Sequence, residues 1–142
     1  MDTFRPRTRS ATDPRFAILH AGIVGLTLTT AVIHASLGGL LFTLNAIGYA
    51  AFATGLLLPG RFTAWRWLVR LGLAGFTLAT IAGWLLFGAR FGLAYVDKGV
   101  EVVLLVALGL DIWLEDGGPA GVRARLRDTW QMARRYASRQ PR

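Results

Sequence analysis

The sequence predicts an all-α integral membrane protein: a four-transmembrane-helix bundle with both termini in the cytoplasm, followed by a C-terminal amphipathic interfacial helix. Three observations carry that expectation. Apolar residues make up 54% of the 142-residue chain and charged residues only 17%, against about 25% charged in typical globular chains. From Phe16 to Leu58 there is no Asp, Glu, Lys or Arg. Fourteen of the sixteen basic residues fall in segments that four spans would put on one side. The same composition excludes a disordered chain. The lack of cysteine excludes a disulfide scaffold and a thiolate metal centre.

Residues 1–13 are a basic cytoplasmic segment, and the membrane domain follows over 14–115. Asp13-Pro14 opens the first helix as an N-cap followed by proline at the first helical position. The charge-free run measures about 64 Å as helix, which is two spans of about 20 residues each. These are expected at about 15–36 and 40–58, with the turn at Ser36-Leu37-Gly38-Gly39 and the close at Leu58-Pro59-Gly60. A third span covers about 65–87 and a fourth about 95–114. None of the four alternates polar and apolar residues with period two, so strands and a β-barrel are not expected. The first apolar run is longer than the 7–15 residues of a signal peptide and leads straight into a second span, as a retained anchor would.

Orientation follows from the arginines. Arg5, Arg7, Arg9 and Arg15 precede the first span; Arg61, Arg66 and Arg70 lie between the second and third; seven more lie in the tail. The opposite side receives only Arg90 and Lys98. By the positive-inside rule both termini are cytoplasmic, in a bacterial-type plasma (inner) membrane. Trp65, Trp67, Tyr95 and Trp113 mark the span ends, as an aromatic belt would.

The tail, over 119–139, repeats Val122, Leu126, Trp130, Ala133 and Ala137 at helical spacing. Arg123, Arg125, Arg127, Arg134 and Arg135 flank this stripe. An Arg-rich helix with Trp130 on its apolar face suits the anionic lipids of the cytoplasmic surface. No nucleic-acid partner is expected, since the preceding span already tethers the helix beside lipid. Membrane protein partners or a second copy are further expectations.

Ionisable and polar residues in spans are costly and turn toward a bundle interior or cavity. His34, Asn45, Tyr49, Asp97 and Glu101 group near the outer ends of their helices and are the candidates for ligand binding or a proton relay. Arg90 borders them, and Lys98 is placed to pair with Glu101 at i+3. His20 and Asp111 form a candidate pair at the inner end. Small residues four apart, in Ala21-Gly25-Thr29, Ala46-Ala50 and Gly75-Ala79-Gly83, are expected to let helices approach closely.

His20 and His34 lie 14 residues apart on one helix, about 21 Å along its axis and within about 40° of one face. That spacing resembles the paired ligand helices of the cytochrome b family. The resemblance covers these two residues alone. It implies haem between two copies of the chain, since one chain supplies only one such helix. Apart from that option, no cofactor and no metal are expected, because the two histidines are too far apart to share one ion. No phosphate-binding glycine loop, HExxH helix or GxSxG elbow is present, so the chain is not expected to be an enzyme. The first functional expectation is a small scaffold or accessory subunit of a membrane complex. The alternative is a small transporter or channel-like protein using the outward-facing polar site.

Overall fold

The structure, a computed structural model, describes residues 14–59 and 65–137. They form five helices: α1 (Pro14–Leu37), α2 (Leu40–Leu57), α3 (Arg66–Phe87), α4 (Gly92–Asp116) and α5 (Gly118–Ala137). There is no strand among the described residues. The cap expected at Asp13, the segment 1–13 and the loop arginine Arg61 lie outside the described residues.

Local chemistry sets the boundaries. Gly38 and Gly39 both take positive φ, 70° and 86°, a region that favours residues without a Cβ. They reverse the chain within two residues, so α1 and α2 are antiparallel neighbours. Leu58 is extended, as a residue before proline prefers, and α2 ends there. Helix α4 begins three residues before the expected start, because extended Phe91 precedes it and accepts the Tyr95 amide at 3.2 Å. It ends on Gly117 in the left-handed conformation, the usual C-terminal stop. At Gly118 a Cβ would come within 2.9 Å of the Trp113 ring, which holds α5 close to the end of α4.

Helices α1 to α4 close a ring in which α1 packs on α2 and α4, and α3 packs on α2 and α4. The contacts run in opposite directions along neighbours: Gly48 meets Phe76 and Gly55 meets Val69 across the α2–α3 interface. The core includes Ile23, Leu56, Leu73, Leu104 and Leu108. What surrounds this core is unusual for a protein in water. The ring's interior also buries Thr27, Thr30, His34, Arg70, Thr77, Asp97, Glu101 and Asp111, while Ile18, Val32, Leu44, Leu78, Leu86 and Val106 face outward. Apolar surface on this scale suits lipid. Helices α1, α2 and α3 are long and apolar enough to cross a membrane.

The small-residue rows fall differently from the expectation. Ala21, Gly25, Thr29, Gly75, Ala79 and Gly83 are all on the exposed surface, and Ala46 and Ala50 line an open apolar groove against α1. Close approach is made instead at Gly48, Gly55 and Gly72, which receive Phe76, Val69 and Phe52. A row of small residues marks a smooth helix face, and that face meets either lipid or another helix.

Candidate polar site inside the bundle

Polar groups from α1, α2, α3 and α4 converge on Glu101, which is completely buried. Four helices contribute. From α2, the Tyr49 hydroxyl donates to Glu101 Oε1 at 2.9 Å. From α3, Thr80 Oγ1 lies 2.9 Å from the same oxygen and 2.9 Å from the Tyr49 hydroxyl. From α1, His34 Nε2 faces Glu101 Oε1 at 3.9 Å. On α4 itself, one turn earlier, Lys98 Nζ donates to Glu101 Oε2 at 2.6 Å and contacts Asp97 Oδ2 at 3.0 Å. The i+3 pairing expected for Lys98 is therefore formed. Thr30 Oγ1 donates to Asp97 Oδ1 at 3.2 Å, and His34 Nδ1 lies 3.5 Å from that oxygen.

The division of oxygens gives the site its geometry. Oδ1 of Asp97 and Oε1 of Glu101 face His34 and the hydroxyls, while Oδ2 and Oε2 face the Lys98 ammonium. His34 and Asp97 are each 2% exposed, and the Lys98 side chain, at 12%, is the most accessible of the ion-pairing groups. Aromatic rings close the α2 and α3 sides: the Tyr49 ring lies tilted at 5.5 Å from His34 and edge-on at 4.9 Å from Phe76. Glu101 lies nine residues inside α4, about 13 Å along its axis.

Burying charges in such surroundings costs several kcal/mol per ion unless each is paired and its remaining lone pairs are satisfied. Every carboxylate oxygen of this cluster has at least one donor or cation beside it. Of the residues expected at this site, the structure brings His34, Tyr49, Asp97 and Glu101 together. Asn45 takes no part in these contacts. It lies one turn before Tyr49 and is only half-buried. Arg90 is also elsewhere, stacked over Trp84 at 4.3 Å and donating to the Leu85 carbonyl.

The inner pair differs from the expectation. Asp111 does not take His20 as its partner. Arg70, on the first turns of α3, donates from Nη1 to Asp111 Oδ2 at 2.6 Å and to Glu115 Oε2 at 2.5 Å. A permanently charged guanidinium on a long stem reaches a buried carboxylate and neutralises it. His20 is half-buried on α1 and makes none of these contacts. Arg70 itself, expected as a flanking loop charge, is 5% exposed.

The cytochrome-like arrangement requires His34 to face a second copy of the chain. Here its ring is turned into the chain's own bundle: Nδ1 lies 3.0 Å from the Thr30 carbonyl and Nε2 lies toward α4. On α5, Arg123, Arg127, Trp130 and Arg134 are exposed, and the Arg134 guanidinium sits 4.0 Å over the Trp130 ring. Sequence reasoning did not single out Thr30, Thr80 or Arg70. Threonines are common in apolar helices, where a hydroxyl bonds its own backbone, as Thr27 and Thr77 do here. In comparisons with protein-family models, curated proteins and solved structures, nothing matched this chain.

Proposed function

We propose that this is a non-enzymatic four-span membrane protein, with both termini cytoplasmic, whose outer half binds a small cation at Asp97 and Glu101. The observation that carries the reading is convergence: polar side chains from four helices meet at one buried carboxylate. Fastening neighbouring helices to one another requires only pairwise hydrogen bonds, worth about 0.6–2 kcal/mol each. A shared focus of two carboxylates, an imidazole and three hydroxyls, with the Lys98 ammonium at its edge, is the composition of a binding site.

The fourth span rests on how α4 is turned. Its Asp97, Glu101 and Asp111 are buried, while Val96, Val102, Val103, Val106 and Leu110 face outward. Its charges thus meet protein and its apolar residues meet lipid. It also packs lengthwise between α1 and α3, both apolar enough to span. The basic flanks then set the orientation. Exposed Leu126 and Trp130, beside the arginines of α5, support a helix lying on anionic lipid at the cytoplasmic face.

A second reading, a scaffold or accessory subunit, is favoured by the Arg70–Asp111–Glu115 contacts, which fasten α3 to α4 away from the site. Thermal unfolding of the purified protein in detergent separates the two. Chloride salts of Na⁺, K⁺, Mg²⁺, Mn²⁺ and Zn²⁺ are compared at constant ionic strength. A bound cation stabilises the folded state by mass action, by about 2.7 kcal/mol at a hundred times its Kd. At least one salt should raise Tm by several degrees in the native protein and not in Glu101→Gln. A uniform response to all five, unchanged in Glu101→Gln, would leave only the scaffold.

A further inference from the structure

The unusual atom in the cluster is Nε2 of His34. Nδ1 of the same ring is 3.0 Å from the Thr30 carbonyl, an oxygen that can only accept, so Nδ1 carries the proton. In the neutral ring Nε2 is then a lone pair. The His34 side chain is only 2% exposed, and its Nε2 faces Glu101 Oε1, a second acceptor, 3.9 Å away. That distance is too long for a hydrogen bond. Two acceptors facing one another at this separation call for a cation between them.

We infer that His34 Nε2, Asp97 Oδ1 and Glu101 Oε1 form a three-ligand site for a first-row divalent transition-metal ion. The inference rests on the reading above that the cluster binds a cation, and it names the class of that cation. One ligand atom from each of these residues lies within 4.8 Å of the others. A tetrahedral ion at about 2.0–2.1 Å from each ligand sets them about 3.4 Å apart. The His34–Glu101 pair therefore has to close by about 0.5 Å, and a pair at the 4.8 Å limit by about 1.4 Å. The donor set of one imidazole and two carboxylates suits Zn²⁺, Mn²⁺, Fe²⁺ or Co²⁺; Mg²⁺ and Ca²⁺ prefer oxygen alone. The surrounding contacts orient the ligands as metal sites require. The Thr30 carbonyl fixes the imidazole tautomer, the Thr30 hydroxyl holds Asp97, and Tyr49 and Thr80 hold Glu101.

Lys98 determines when the site is available. Its ammonium occupies the outer oxygens of both carboxylates, so it is a tethered competitor for their charge. With Lys98 in contact, a divalent ion would leave the cluster with one excess positive charge. With Lys98 swung away toward the outer end of α4, two carboxylates and the ion balance. The lysine is more accessible than either carboxylate and has a long flexible stem.

The test is Co²⁺ titration of the chelator-treated, full-length protein in detergent, read as visible ligand-field absorption, with Zn²⁺ as displacing ion. The expected result is a saturable band at one Co²⁺ per chain, lost on Zn²⁺ addition and absent in His34→Ala. Lys98→Met should tighten Co²⁺ binding by about tenfold or more, because it removes a positive charge beside the ion. Misfolding cannot produce that gain, so Lys98→Met decides the matter even where His34→Ala does not fold. A band that persists in His34→Ala, or binding weakened by Lys98→Met, overturns the site. A Tm response to Na⁺ or K⁺ with no Co²⁺ or Zn²⁺ binding overturns the metal and leaves the cation-binding reading standing. No response to any of these salts overturns both.

Discussion

Replacing Arg70 with methionine is expected to destabilise the bundle by about 3–5 kcal/mol, the cost of leaving a buried carboxylate without its cation. Arg70 is the sole partner of Asp111 among the contacts described above, at 2.6 Å. Both side chains lie in the interior. Methionine keeps most of the volume of the arginine stem, so the loss reports charge rather than packing. The double variant Arg70→Met/Asp111→Leu should recover most of the stability, since it removes both buried charges together. Unfolding by heat or denaturant in detergent, arranged as a double-mutant cycle, measures the coupling. Equal losses in Arg70→Met and the double variant would show that the pair contributes nothing as a pair.

Glu101→Ala is expected to be of similar size, about 3–5 kcal/mol, and to abolish any cation response. It opens a cavity, leaves the Tyr49 and Thr80 hydroxyls without their shared acceptor, and leaves Lys98 with Asp97 alone. Glu101→Gln separates these effects. The amide oxygen still accepts from Tyr49 and Thr80, so its loss should be the smaller, while the charge needed for a cation is gone. Asn45→Ala provides the contrast. Asn45 is half-buried and outside the cluster, and should shift stability by about 0.5 kcal/mol or less. The comparison is made by thermal unfolding with and without the salts that stabilise the native protein. An Asn45 variant as damaged as Glu101→Ala would mean that the outer polar groups act without a focus.

The helices were legible because lipid-facing and core-facing residues are both apolar. A 43-residue stretch with no formal charge leaves little choice but two long helices, and Gly38-Gly39 supplies the one obvious turn. Half of the site was legible for the same reason. His34, Tyr49, Asp97 and Glu101 are conspicuous on apolar helices, and their depths match once the helices are counted out. The missing half depends on rotation about the helix axes, which an almost uniformly apolar surface does not encode. Asn45 and Tyr49 share a face within about 40°, yet only Tyr49 turns fully inward.

Arg70 shows the limit most clearly. It stands four residues after Arg66 at the start of α3, and in sequence it is another flanking arginine. Its role is set by Asp111 and Glu115, more than forty residues away on a helix whose rotation brings both toward it. The glycine rows failed for a related reason. Gly48, Gly55 and Gly72 are where α2 and α3 approach closely, but Gly25 and Gly75 look no different until a neighbour is present.

With α4 proposed to cross the membrane and its charges turned inward, the cation site would lie within the bilayer rather than beside it. Cysteine labelling in whole cells tests this directly, because the native chain has no cysteine. Single variants Phe91→Cys and Ala120→Cys bracket α4 at positions exposed on the protein surface. A membrane-impermeant maleimide should label Phe91→Cys in intact cells and Ala120→Cys only after permeabilisation. Labelling of both from the same side would contradict that crossing.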